Sequence, residues 1–207
     1  MARKYDLVYI VDEVASGFWR TGPAFAHMHE PVKPDLMVLG KGMVNGELPG
    51  GAVMLGEKPT EHFMDNMLIA GSTNYACPLM LATSRAALDA YESMDVENVV
   101  RKSEAHLSRL LQNLFDQHEC VTDVRHNGGL VAAVDVNGGK DTGKMAAMLT
   151  KACDDNLVQV WVRPQEGVAR IFVVPPLIIT EEQLDYTFHV ISEKACAKAG
   201  EVLASEK

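Results

Sequence analysis

Positive charge is in short supply in this 207-residue sequence: 19 Lys and Arg stand against 28 Asp and Glu, a formal charge of −9. Nucleic acid and anionic membrane surfaces both require a basic footprint to release counterions, so neither is expected as the main partner, and a small-molecule site is. Cysteine is sparse as well. Cys77, Cys120, Cys153 and Cys196 lie far apart with no CxxC pair, which fits neither a zinc cluster nor a small disulfide framework and points to reduced thiols in a cytoplasmic protein. No stretch offers about 18 uncharged apolar residues, and acids interrupt the N-terminal "MARKYDLVYIVDE" before a signal-peptide core could form, so neither a membrane span nor a leader is expected. Internal repeats and low-complexity segments are also missing.

What is present is a chain with 47% apolar and 23% charged residues, enough to build a core. "DLVYIVDEV" is a short, continuously apolar run, the pattern of a strand buried on both faces as in a parallel sheet. "DLMVLG" (35–40) and "GGAVML" (50–55) repeat it, separated by the Gly- and Pro-rich loops "SGFWRTGP" and "KGMVNGELPGG". Strands followed by such loops predict an open α/β sheet with its ligand beyond the carboxyl ends of the strands, where Asp12 and Lys41 both fall. A strand within about five residues of Met1, with nothing before it to cover it, suggests the later part of something longer.

Helices are expected from Pro78 to about Ala90 and from about Val96 to His118, the second with Val99, Val100, Leu107, Leu110, Leu111 and Leu114 on one side. Then "GLVAAVDV" reads as a strand, "GKMAAMLTKACDD" as a helix, and "LVQVWVRP" and "VARIFVVPPLIIT" as strands. Thr180 with Gln183 makes a capping box for a final helix to about Leu203. The boundary is placed between residues 95 and 96, with a smaller α+β domain over 96–207.

The chemistry begins with two acids, Asp12 and Glu13, at the end of an apolar strand, where a carboxylate is costly unless something cationic meets it. Lys41, flanked by glycines in "GKG", has the setting of an amine whose desolvation would make it a nucleophile toward carbonyls. Together a lysine for an aldehyde and a carboxylate against a ring nitrogen are what pyridoxal phosphate requires. Glu13 is given no role. Three other features are set aside. "GGKDTGKM" has the GxxxxGK spacing of a P-loop, but Met145 replaces the magnesium-binding hydroxyl and Asp141 puts a negative charge in the presumed cradle. His27 and His29 with Glu30 lack the i, i+4 spacing of helix-borne metal ligands and read as surface or packing residues. No metal is expected, and the eleven methionines with Trp19 and Trp161 read as core or pocket lining.

At "IVDEVASGFWRTGPAFAH" and "KPDLMVLGKGMVNGELPGGAVM" the sequence closely resembles the class III (omega) aminotransferases, and the match continues through "GSTNYACPLMLATSRAALDAYE" and "VVPPLIITEEQLD". The resemblance implies the α/β architecture of a fold type I pyridoxal-phosphate transferase, as a partial large-domain sheet (1–95) plus the small domain. It implies that Asp12 pairs with the pyridine nitrogen, Val14 packs on one face of the ring, and Lys41 forms the Schiff base and moves the substrate proton. Thr73 would bind the cofactor phosphate, typically of the neighbouring subunit, which implies a homodimer with shared active sites. A Gly/Ser-rich phosphate turn and a ring-stacking aromatic of the family's first half are not in this sequence. Phe172 stands where many 2-oxoglutarate-using members carry arginine, with Arg170 nearest, and Trp19 stands where glycine is usual. These departures favour a transaminase taking an omega-amino acid or amine (taurine, β-alanine or GABA-like) to a 2-oxo acid such as pyruvate. An aminomutase of the same fold, or a catalytically incomplete subunit, is the alternative.

Overall fold

The computed structural model describes residues 2–206, and its chain divides into two compact units, Met1–Asn98 and Val99–Lys207. In the first unit β1 (Ile10–Asp12) runs parallel to β2 (Leu36–Leu39), with Asp12 opposite Val38, and β2 runs antiparallel to β3 (Ala52–Leu55). The α/β sheet is therefore mixed, with the parallel pair expected at β1 and β2 and an antiparallel β3. The expected burial on both faces is not seen: Ile10, Val53, Met54 and Leu55 are exposed. A 3-10 turn at Lys41–Met43 follows β2 directly. Helix α1 (Glu57–Asp65), which the sequence pattern did not reveal, follows β3, and α2 (Pro78–Ser93) starts with proline in its first turn, where no donor is lost. Helix α3 (Val96–Gln117) spans the boundary between the units.

The second unit is a four-stranded antiparallel sheet in the order β4-β5-β7-β6, with β4 at Val121–His126, β5 at Ala132–Asn137, β6 at Trp161–Pro164 and β7 at Val168–Val173. Alternation sets its two faces: Val134, Val136, Ala169 and Ile171 are fully buried, whereas Arg170 and Phe172 are half-buried on the opposite side. The buried side chains join a core containing Leu107, Leu111 and Leu114 of α3, Leu149 and Cys153 of α4 (Thr142–Asp154), and Leu184 and Phe188 of α5 (Glu181–Val190). The capping box that starts α5 forms as expected, Gln183 N–H donating to Thr180 Oγ1 at 3.2 Å and Thr180 N–H to Gln183 Oε1 at 3.0 Å. The last helix is not continuous: a π-helical stretch, Ile191–Cys196, separates α5 from α6 (Ala197–Ser205).

All four cysteines are free, three of them buried, and burial pushes the Cys153 thiol up to about 11, which makes it inert packing. The "GGKDTGKM" segment does form a turn before α4, and Asp141 itself caps that helix, accepting from Lys144 N–H at 3.0 Å, with Lys144 Nζ 3.4 Å from its other oxygen. A carboxylate already occupies the place a bound phosphate would need. Among the described residues there is no group of three His, Cys, Asp or Glu that could hold a metal, and no helix long and apolar enough to cross a membrane.

Candidate active site

Because β1 and β2 are parallel, their carboxyl ends lie on the same side of the sheet; β1 closes on Asp12, and Lys41 follows the end of β2 by two residues. Asp12 closes β1 and is exposed; its Oδ1 accepts from Val14 N–H at 2.9 Å, a local turn that holds the carboxylate beside Val14. Glu13 N–H donates to Val38 O at 2.9 Å, which carries the ladder one residue past the strand. Two residues beyond Leu39 comes Lys41, exposed and with φ +42°, a left-handed conformation that side-chain-bearing residues rarely adopt. Such strain persists only where surrounding structure enforces it.

The enforcement is visible on both sides. A Cβ on Gly40 would stand 3.3 Å from Val14 Cγ1, and one on Gly42 would stand 2.8 Å from Phe18 Cβ, so the two glycines let the Lys41 turn press against the segment following β1. From behind, the Tyr91 hydroxyl donates to Gly42 O at 2.8 Å. Burial pushes the Tyr91 pKa up, partly opposed by Arg20, so this donor keeps its proton. Tyr91 also packs against Trp19 (centroids 5.5 Å apart, edge-on) and Phe18 (6.1 Å), and Phe18 meets Phe25 edge-on at 5.5 Å. Trp19, like Phe18, has positive φ, +63°. Glycine would adopt that conformation without penalty. Trp19 Nε1 and Thr21 Oγ1 are buried without a hydrogen-bond partner.

The residue the sequence left without a role is the most enclosed. Glu13 is 2% exposed; its Oε2 accepts from Ser16 Oγ at 2.5 Å and Ala26 N–H at 3.0 Å, and its Oε1 from His27 N–H at 2.7 Å, with His27 Nδ1 at 3.2 Å. Burial alone would push this carboxyl up, but the hydrogen bonds from Ser16, His27 and Ala26 together hold it below its ordinary value. His27 is thus tied to a buried carboxylate, more than the surface or packing residue expected.

Thr73 lies exposed in a turn ahead of α2. In the second unit Arg170 Nε and Nη2 donate to Asp135 at 2.7 and 3.0 Å, and Arg125 Nη2 donates to the same carboxylate at 2.9 Å. Phe172 stacks on Trp161 at 4.9 Å, and Arg163, which sequence reasoning did not single out, lies over the Trp161 ring at 4.3 Å. Arg163 is exposed and stands opposite Arg170 in register, on the same face as Phe172. Arg170 first, and Arg125 after it, hold the Asp135 carboxyl down from 3.8 to about 2. A carboxyl lowered by folding contributes stability that is complete above its ordinary value and lost as pH falls through the folded value. Chemical denaturation should therefore show the second unit losing stability between about pH 4 and pH 2, with the advantage of the parent over Asp135→Asn shrinking through that window.

A carboxylate and an amine at the ends of neighbouring parallel strands, with an apolar side chain beside them, is the arrangement expected of the fold type I pyridoxal-phosphate enzymes. The comparisons agree. The family model for aminotransferase class III matches residues 1–194, and the chain belongs to that family. It is 32% identical over 189 residues to an omega-aminotransferase of Caulobacter vibrioides and 33% identical over 189 residues to an adenosylmethionine-8-amino-7-oxononanoate aminotransferase of Corynebacterium glutamicum; each match covers 88% of this chain and 42% of the relative. A solved taurine:2-oxoglutarate aminotransferase of Bifidobacterium kashiwanohense, in complex with PLP and glutamate, is similar with a TM-score of 0.87 at 29% identity, over 98% of this chain and 46% of that one. The chain spans less than half the length of these relatives.

Proposed function

We propose that this chain carries the lysine-bearing part of a pyridoxal-phosphate-dependent transaminase, one that moves an amino group from an omega-amino acid or amine of the taurine, β-alanine or GABA kind to a 2-oxo acid such as pyruvate. The observation that carries this reading is the placement of Asp12 and Lys41 at the carboxyl ends of adjacent parallel strands, where Gly40 leaves room that Val14 would deny to a Cβ. The donor set suits the cofactor: an exposed amine for its aldehyde, a carboxylate for its ring nitrogen, an apolar side chain for its ring face. When bound, pyridoxal phosphate supplies the electron sink that stabilises charge on the substrate's α-carbon. Asp12 would pair with the ring nitrogen and favour its protonated form, and Val14 would pack against one face of the ring. Lys41 Nζ would take the proton from the substrate carbon and return it.

Thr73 is proposed as a phosphate ligand for the neighbouring subunit of a homodimer, on the ground of its exposed turn. Trp19 in the first unit and Phe172 and Arg170 in the second are proposed to shape substrate choice. On that face of the second unit Arg170 is held by Asp135, whereas Arg163 lies exposed over the Trp161 ring. Residues 1–95 are assigned to the cofactor-binding large domain, and the free thiols suit a cytoplasmic location. The test is covalent trapping. After incubation with pyridoxal phosphate and borohydride reduction, peptide mass spectrometry should find the pyridoxyl group on Lys41. Its absence, or its presence on another lysine, removes the assignment.

A further inference from the structure

We propose that Glu13 is the positioning residue of this site: its buried carboxylate clamps residues 14–27 onto the end of β1, and so fixes where Asp12 and Val14 stand. The second half of this statement rests on the cofactor reading above; the clamp itself does not. Glu13 is bound at both ends of the segment. Its N–H continues the ladder to Val38 O, its carbonyl accepts from Gly17 N–H at 3.0 Å, and its side chain reaches the far end through Ala26 and His27. Within that closed loop lie Val14, whose N–H holds Asp12 Oδ1, and Phe18 and Phe25, whose rings meet at 5.5 Å beside Gly42. Gly17 permits the closure, because a Cβ there would stand 2.8 Å from Glu13 O.

The clamp needs an ionised carboxylate, and the reason is donor counting. Oε2 faces Ala26 N–H and Ser16 Oγ; Oε1 faces His27 N–H and the His27 ring. Ser16 and the imidazole can each turn from donor to acceptor, but the two backbone N–H groups cannot. In a glutamine of the same shape, either orientation of the amide sets its NH2 against one of these backbone donors and leaves that N–H buried without an acceptor. Glu13→Gln, the mildest change by size, should therefore open the loop.

The experiment compares the 207-residue chain with its Glu13→Gln and Ser16→Ala variants, first by amide hydrogen exchange without cofactor. Exchange over residues 14–27 should accelerate on the order of tenfold in Glu13→Gln, less in Ser16→Ala, with β5 and β7 unchanged. Unchanged exchange over 14–27 in both variants overturns the clamp, and a Glu13→Gln chain that fails to fold leaves Ser16→Ala to decide. Pyridoxal phosphate is then titrated, and the pH at which its visible band changes is recorded. Weaker binding by about tenfold together with a displaced band transition supports positioning of Asp12. A looser segment with unaltered affinity and band leaves Glu13 merely structural and refutes the proposal. If the parent chain holds no pyridoxal phosphate and borohydride leaves no pyridoxyl group on Lys41, the assignment of Lys41 and with it the positioning of Asp12 is removed, while the exchange comparison still judges the clamp.

Discussion

On the proposed reading, Lys41→Ala is expected to lower amino-group transfer by about a thousandfold or more, because one amine would both tether the cofactor and carry the substrate proton. The fold should not notice. Lys41 is exposed, so truncation leaves no cavity, and alanine bears the same backbone cost at φ +42° that lysine does. The melting temperature should therefore stay within a degree or two of the parent while kcat collapses, measured in the protein that carries this chain. Retained turnover would show that another group handles the proton.

Asp12→Asn is the second large effect, about a hundredfold in kcat with little change in KM. The amide oxygen can still accept from Val14 N–H, so the turn at the end of β1 survives, and what is lost is negative charge. A ring nitrogen without that charge holds its proton less well, and removal of the substrate's α-hydrogen becomes the slow step. The check is the kinetic isotope effect with α-deuterated donor, which should grow in Asp12→Asn. An isotope effect and kcat equal to the parent's would separate Asp12 from the ring.

Why Asp12 and Lys41 were legible in the sequence and Glu13 was not is a matter of where its partners lie. The short apolar runs mark strand ends directly, and a lysine between glycines at such an end is a local pattern. Glu13 is different. Strand alternation placed it on the face opposite Asp12, but β1 ends at Asp12, and Glu13 is buried by a loop that folds back on it. Its partners Ala26 and His27 stand thirteen and fourteen residues away, without a periodicity that could announce them. Arg163 escaped for a related reason: its place beside Arg170 comes from β6–β7 register, which spacing along the chain does not give. The π-helical stretch at Ile191–Cys196 also leaves no mark on the apolar pattern, which reads as one helix to about Leu203. Thr180 and Gln183 were readable because a capping box is local.

Trp19's left-handed backbone makes the choice of substitution there an experimental design question. Alanine would remove the indole but keep a backbone penalty of about 1 kcal/mol, so its phenotype would mix two losses. Glycine removes the ring and the penalty together. A Trp19→Gly protein can then report the indole's influence on amine size with the backbone at rest, and comparison with Trp19→Ala weighs the strain alone.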